Sequence, residues 1–168
     1  MNRKSIFAYL ALPIGLFFQS ACGPYSFSGS ANSHIKTVAV PVFEDNTAEF
    51  GVKEDLANSI IDAFNRDNTL KIANRRTADA LISGTVLAVN DRAGDYDRDE
   101  SVSSIQVHVT VEVKYEDLKK RKVLWEDQLS RFGTYAPDAS EKNSREDAIA
   151  EAIALLTQEV LDRSVSGW

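Results

Sequence analysis

Between residues 105 and 115 the chain alternates without a break. Ile105, Val107, Val109, Val111, Val113 and Tyr115 are separated by Gln106, His108, Thr110, Glu112 and Lys114. Successive side chains on a strand point to opposite sides, so this pattern describes a strand with one buried face and one face that meets water or a partner. Six apolar positions on a single side need a cover from another layer. The polar side excludes a sheet packed on both faces.

The rest of the sequence supplies that cover. Residues 35–43 alternate again, with Val38, Val40 and Val42 in phase, and Pro41 places the end or an edge of that strand there because it has no N–H to donate. After the loop Glu44-Asp45-Asn46-Thr47, residues 52–65 read as a helix. Val52, Leu56, Ile60 and Phe64 fall four apart and form one stripe, and Asn65, Asp67 and Asn68 stop it. Residues 70–73 form a short strand, and residues 78–90 a longer one, broken by Gly84. The polar segment 91–101 reads as a long hairpin connection, residues 116–121 as a tight turn, and residues 122–134 as a returning strand carrying Val123, Trp125, Leu129 and Phe132. Ser144, with Glu146 and Asp147 in the turn after it, starts a second helix whose stripe is Ile149, Ala152, Ile153, Leu156 and Val160. The expected class is α+β: two helices packed on one face of a mostly antiparallel four- to five-stranded sheet, in the order β-α-β-β-β-β-α.

The amino terminus has a different character. Arg3 and Lys4 precede an uncharged apolar run over residues 6–18, the layout of a secretory signal and too short to span a bilayer, which takes about 20 apolar residues. Gln19-Ser20-Ala21-Cys22-Gly23 follows and looks like a lipobox, with Gln19 where the pattern usually carries an aliphatic residue. That likeness implies cleavage before Cys22, a diacylglycerol on its sulfur and acylation of the new amino terminus. An ordinary secretory signal followed by an unpaired cysteine is the alternative. A lone thiol in an oxidising compartment favours the lipid. Pro24 is not the Asp associated with inner-membrane retention, which points to the outer membrane. The expected organisation is a signal peptide over residues 1–21, a lipidated terminus and tether over 22–34, and a single α+β domain over 35–168.

Cleavage removes two of the nineteen basic residues and none of the twenty-five acidic ones, so the mature chain carries a formal charge of −8. Nucleic-acid binding as the main task is out of keeping with that sign. Catalytic candidates are few. The sequence has no Gly-x-Ser-x-Gly elbow, no free cysteine to pair with His34 or His108, no phosphate cradle and no metal-ligand spacing, so neither an enzyme nor a cofactor is expected. Asp91, Asp95, Asp97, Asp99 and Glu100 offer oxygen ligands, but Arg92 and Arg98 interrupt them and the glycine and closing glutamate of a calcium loop are missing, which favours a solvated loop. The remaining cluster is Lys119-Lys120-Arg121-Lys122, four cations at a hairpin tip in an acidic domain. Two readings stand: contact with the phosphates of an anionic lipid such as lipopolysaccharide, or a charged turn that keeps the hairpin soluble and blocks edge pairing.

Taken in order, the lipobox, Gly23-Pro24-Tyr25-Ser26-Phe27-Ser28-Gly29, the stretch from Ile35 through Val38-Ala39-Val40-Pro41-Val42-Phe43 to Glu44-Asp45-Asn46-Thr47, the stretch from Glu54 to Asn68, Ala78-Asp79-Ala80 ahead of Gly84, Leu124-Trp125-Glu126 and Ser166-Gly167-Trp168 resemble the LptE family of lipopolysaccharide-assembly lipoproteins. The resemblance covers essentially the whole mature chain. It implies a small plug in the lumen of the large β-barrel LptD, anchored by lipid at the periplasmic face of the outer membrane and helping to place lipopolysaccharide in the outer leaflet. None of its motifs marks lipid-contacting residues, so Lys119, Lys120, Arg121 and Lys122 are read from the chain itself. The stretch from Val38 to Thr47 is also similar to the start of the TolB amino-terminal, curli-secretion and peptidoglycan-synthase-activator lipoproteins, a binding or secretion module that stands as the alternative.

Overall fold

A computed structural model describes residues 33–95, 102–137 and 144–166. In chain order the elements are β1 (Thr37–Ala39), β2 (Glu44–Asp45), α1 (Val52–Asp67), β3 (Lys71–Ile72), β4 (Ala80–Ala93), β5 (Ile105–Asp117), β6 (Lys122–Tyr135) and α2 (Arg145–Val165). The strands lie in the order β3-β1-β4-β5-β6, with β2 also paired to β4. The three long strands form an antiparallel meander, while β1, β2 and β3 are short and parallel. The class is the expected α+β, with six strands instead of four or five.

Pro41 accounts for the extra strand. It interrupts the ladder after β1, and the chain regains contact with β4 only at Glu44 and Asp45, opposite Thr85 and Val86. The expected loop after residue 43 thus begins as a strand. Asp45 then closes it by accepting bonds of 2.8 Å from both the N–H and the hydroxyl of Thr47.

The alternation in β5 behaves as its pattern requires. Val107, Val109, Val111 and Val113 are fully buried and share one core cluster with both helices, and Glu112 between them is exposed. Each such side chain contributes roughly 1.5–3 kcal/mol by leaving water. The buried residues of α1 include Leu56, Ile60 and Phe64, and those of α2 include Ala152, Leu156 and Val160, all in one cluster with the β5 row. Helix α1 ends at Asn68, whose backbone is left-handed (φ 59°) and whose N–H bonds to Phe64 O. Ser144 caps α2 in a reciprocal capping box with Asp147.

One expectation about the strands is corrected. Gly84 does not break β4, which runs unbroken to Ala93. A Cβ at Gly84 would lie 2.1 Å from Glu112 O and 2.7 Å from the Phe43 ring, so the glycine makes room for a buried phenylalanine. The change of phase falls instead at a bulge between Val86 and Ala88, beyond which Val89 rather than an even-numbered residue pairs with the β5 core row. In β6, Leu129 is buried, but Val123 and Phe132 are about two-fifths exposed. Both pair with residues of the polar β5 row, Glu116 and His108, and so lie on the open face of the sheet.

Candidate functional site

The hairpin tip carrying the basic run lies where β5 ends, two residues beyond the alternation that closes at Tyr115. Asp117 follows Tyr115 in phase and therefore points inward, where it is fully buried. An isolated buried carboxylate is costly unless its oxygens are bonded. Here Oδ1 accepts the N–H groups of Lys119 and Lys120, each at 2.9 Å, and Oδ2 hydrogen-bonds His34 Nε2 at 2.5 Å. Burial pushes the carboxyl up, but the Lys120 N–H, the His34 ring and the Lys119 N–H together hold it below its ordinary value. Burial with the same Asp117 charge beside it raises the Tyr115 hydroxyl to about 12.

A second carboxylate braces the same turn. Asp79 is 7% exposed. Its Oδ1 lies 2.6 Å from Lys119 Nζ, and its Oδ2 accepts the N–H groups of Lys36 and Thr37 at 2.8 and 3.0 Å. The Lys119 ammonium first, and the Lys36 N–H next, hold Asp79 far below the usual carboxylate range. Leu118 N–H bonds to Asp79 O at 2.8 Å, and Leu118 packs beside Ala73, Ala78 and Leu81 on the open side of the sheet. Arg121 closes the turn in the left-handed region, φ 54°.

The four cations of the run are thereby divided. Lys119 is tied to Asp79, whereas Lys120, Arg121 and Lys122 are exposed and, among the described residues, have no carboxylate in ion-pair range. Asp79 and Asp117 do not stand out as site residues in the sequence. Asp117 was within reach, since extending the alternation by two residues places a charge inside. Asp79 has no such signal, because its partners lie some forty positions away in both directions.

Across the open sheet face, Thr110 and Ser130 share a 3.0 Å hydrogen bond, Gln106 meets His108 Nε2 at 3.1 Å, and the His108 ring lies 5.1 Å from that of Phe132. Loss of hydration, followed by the nearby Arg92 charge, holds His108 below its ordinary pKa. A groove of about 410 Å³ on this face is lined by Glu44, Glu112, Glu116 and Glu126 with Arg75 and Lys114. Of the carboxylates considered for calcium, two fall among the described residues. Asp91 belongs to β4 and pairs with Arg145, Asp95 bonds to Ser104, and Asp97, Asp99 and Glu100 lie outside the described residues. Among the described residues no cluster suits a metal, and no helix is long and apolar enough to cross a membrane. Cys22 also lies outside them.

The family model for LptE, lipopolysaccharide-assembly, matches residues 35–164, which takes in every element of the fold but the last residue of α2. No curated protein sequence matches significantly. Among solved structures, a hypothetical protein from Chlamydia trachomatis is similar at 10% identity over 77% of this chain and 95% of its own, with a TM-score of 0.58. PelC from Paraburkholderia phytofirmans, solved as a dodecamer, is similar at 16% identity over 77% and 86%, with a TM-score of 0.53. A minor lipoprotein from Acinetobacter baumannii gives 15% identity over 78% and 93%, with a TM-score of 0.52. At such identities these likenesses concern the fold.

Proposed function

The chain belongs to the LptE family of lipopolysaccharide-assembly proteins, and from that premise we propose that it seats in the lumen of an LptD-type outer-membrane β-barrel, assists assembly of that barrel and takes part in delivering lipopolysaccharide to the outer leaflet. The observation that carries this reading is the extent of the family match, which spans the folded domain. The open sheet face supports it. Gln106, Thr110, Glu112, Gln128 and Ser130 form a hydrogen-bonding surface on one side of a two-layer fold, of the kind that suits a polar barrel interior. Catalysis has no part in the reading. The TolB-like, curli-secretion and synthase-activator alternative rests on the motif of the first strand and its loop with a fitting signal and size, and the longer family match weighs against it.

The same reading places the protein at the periplasmic face of the outer membrane, held by acyl chains on Cys22 after removal of residues 1–21, with residues 22–34 as the tether to the 35–168 domain. Several acyl chains anchor durably because each buried methylene adds about 0.8 kcal/mol. Lys120, Arg121 and Lys122, with Lys119 held back by Asp79, are the groups we assign to lipopolysaccharide phosphates.

Crosslinking in intact cells, followed by purification of the tagged chain, tests the central claim. An LptD-sized barrel is the expected partner, and a homo-oligomeric ring or a peptidoglycan synthase in its place would overturn the assignment. Radioactive palmitate tests the anchor: label should enter the parent and not Cys22→Ala, and equal label in both would remove Cys22 as the lipid site.

A further inference from the structure

The cationic turn and the root of the amino-terminal segment are fastened by the same two carboxylates. Asp117 binds the backbone of the turn through one oxygen and His34 through the other, while Asp79 binds the backbone of Lys36 and Thr37 through one oxygen and the side chain of Lys119 through the other. The chain therefore enters the domain beside Lys120, Arg121 and Lys122. Eleven residues separate Cys22 from His34, and a chain of that length reaches at most about 40 Å.

Charge is sorted at this end. Asp79 and Asp117 are buried, and the cations that face outward are Lys36, Lys119, Lys120, Arg121 and Lys122, with Arg75 and Arg76 on the neighbouring turn that Leu118 packs beside, while the half-buried Glu116 is paired with Lys114 at 3.1 Å. The mature chain as a whole is acidic, so an anionic surface repels most of it and attracts this end. Lysine and arginine next to an anionic leaflet are drawn to it over about a Debye length, roughly 8 Å at physiological salt.

We propose that this end of the domain is a membrane-contact surface, on which Lys120, Arg121 and Lys122, flanked by Lys36 and Arg76, lie against anionic phospholipid headgroups of the leaflet that holds the acylated Cys22. The contact rests on the reading of Cys22 as the anchor. It goes beyond lipopolysaccharide binding by giving the turn a resident partner and the domain a fixed orientation, tether end down. An acyl anchor alone leaves the domain free to rotate, and a basic surface beside its root removes that freedom.

Lysine footprinting of the full-length acylated protein in vesicles tests this. An impermeant amine-reactive ester is applied to protein in phosphatidylcholine vesicles and in vesicles with one third phosphatidylglycerol, without lipopolysaccharide. Each basic group near a charged leaflet is worth roughly a fivefold preference, so Lys120 and Lys122 should be labelled about fivefold less in the phosphatidylglycerol vesicles at low salt. High salt should abolish the protection, and Lys53 at the start of α1 should not change. In the variant Lys120→Gln, Arg121→Asn, Lys122→Gln, where asparagine tolerates the left-handed backbone of residue 121, protection of Lys36 should be lost. Equal labelling of Lys120 and Lys122 in both vesicles overturns the contact. So does protection that appears only when lipopolysaccharide is added, which makes the turn a lipopolysaccharide site alone. Should the protein fail to float with phosphatidylcholine vesicles, the anchor reading falls by itself. The contact must then show as flotation with phosphatidylglycerol vesicles, and its absence there overturns the contact too.

Discussion

At the hairpin end of the sheet two buried carboxylates hold backbone, whereas at the opposite end one arginine holds two carboxylates. Arg145, the first residue of α2, makes paired bonds of 2.9 and 3.0 Å to Glu49 and a 2.9 Å bond from Nε to Asp91 at the end of β4. The side chains of that hub are 29%, 32% and 36% exposed, while Asp117 at the other end has no exposure. Both arrangements tie segments distant in sequence, yet they dispose charge differently. Around Arg145 the cation is consumed by its acids, with the Glu49 bonds first and the Asp91 bonds next holding it protonated. Around Asp117 the acids face inward to N–H groups and to Lys119, so Lys120, Arg121 and Lys122 have no carboxylate partner among the described residues. A charge that holds the fold and a charge that serves a partner can thus be told apart by which way its counter-ion lies.

The largest difference between the ends should appear on removing the inward acid. Asp117→Ala leaves two backbone donors and His34 without an acceptor and opens a buried site, which costs about 2–3 kcal/mol. Removing Asp91 from the more exposed hub should cost about 1 kcal/mol or less, because water and salt screen it and Glu49 remains. Urea unfolding of the two variants beside the parent checks this, and equal losses would erase the distinction. Arg145→Ala falls between them at about 1–2 kcal/mol. It leaves Glu49 and Asp91 facing each other without their cation, and the loss should shrink in high salt, while that of Asp117→Ala should not.

Acid should act strongly at the hairpin end. Asp79 and Asp117 both ionise below their ordinary range in the fold. Their contribution is therefore fully present above the unfolded value of about 3.9 and is lost as pH falls through and below it. The urea midpoint of the parent should decline from about pH 5 downward, and that of Asp79→Asn should decline less steeply. Parallel slopes would mean that Asp79 is not held by Lys119 in solution.

These contrasts also mark what a one-dimensional pattern carries. The core rows of β5, α1 and α2 were legible because each is periodic within its own element, and Ser144 was legible because its capping partner lies three residues on. The bulge between Val86 and Ala88 was not, since a single extra residue shifts the phase without any composition signal, whereas Gly84 is conspicuous in the sequence and does not end the strand. The place of Phe132 on the open face was not legible either, because its partner His108 is identified only by the register of β5 against β6. The basic run was visible as four adjacent letters. Its division into one bound and three free cations was not, because that depends on Asp79, forty residues upstream and brought there by β4.

The smallest expected effect on stability belongs to the residues assigned to the partner. Lys120→Gln, Arg121→Asn, Lys122→Gln removes three charges that touch no carboxylate among the described residues, and it keeps a residue that accepts the left-handed conformation at position 121. The unfolding free energy should therefore move by no more than about 0.5 kcal/mol. Lipopolysaccharide affinity should fall, and what remains should depend less on salt, since the charges that salt screens are gone. Lys119→Gln should do the reverse, costing some stability through Asp79 with little change in affinity. If the triple variant instead unfolds as readily as Asp117→Ala, its cations are struts in the manner of Arg145, and a partner for the turn loses its physical basis.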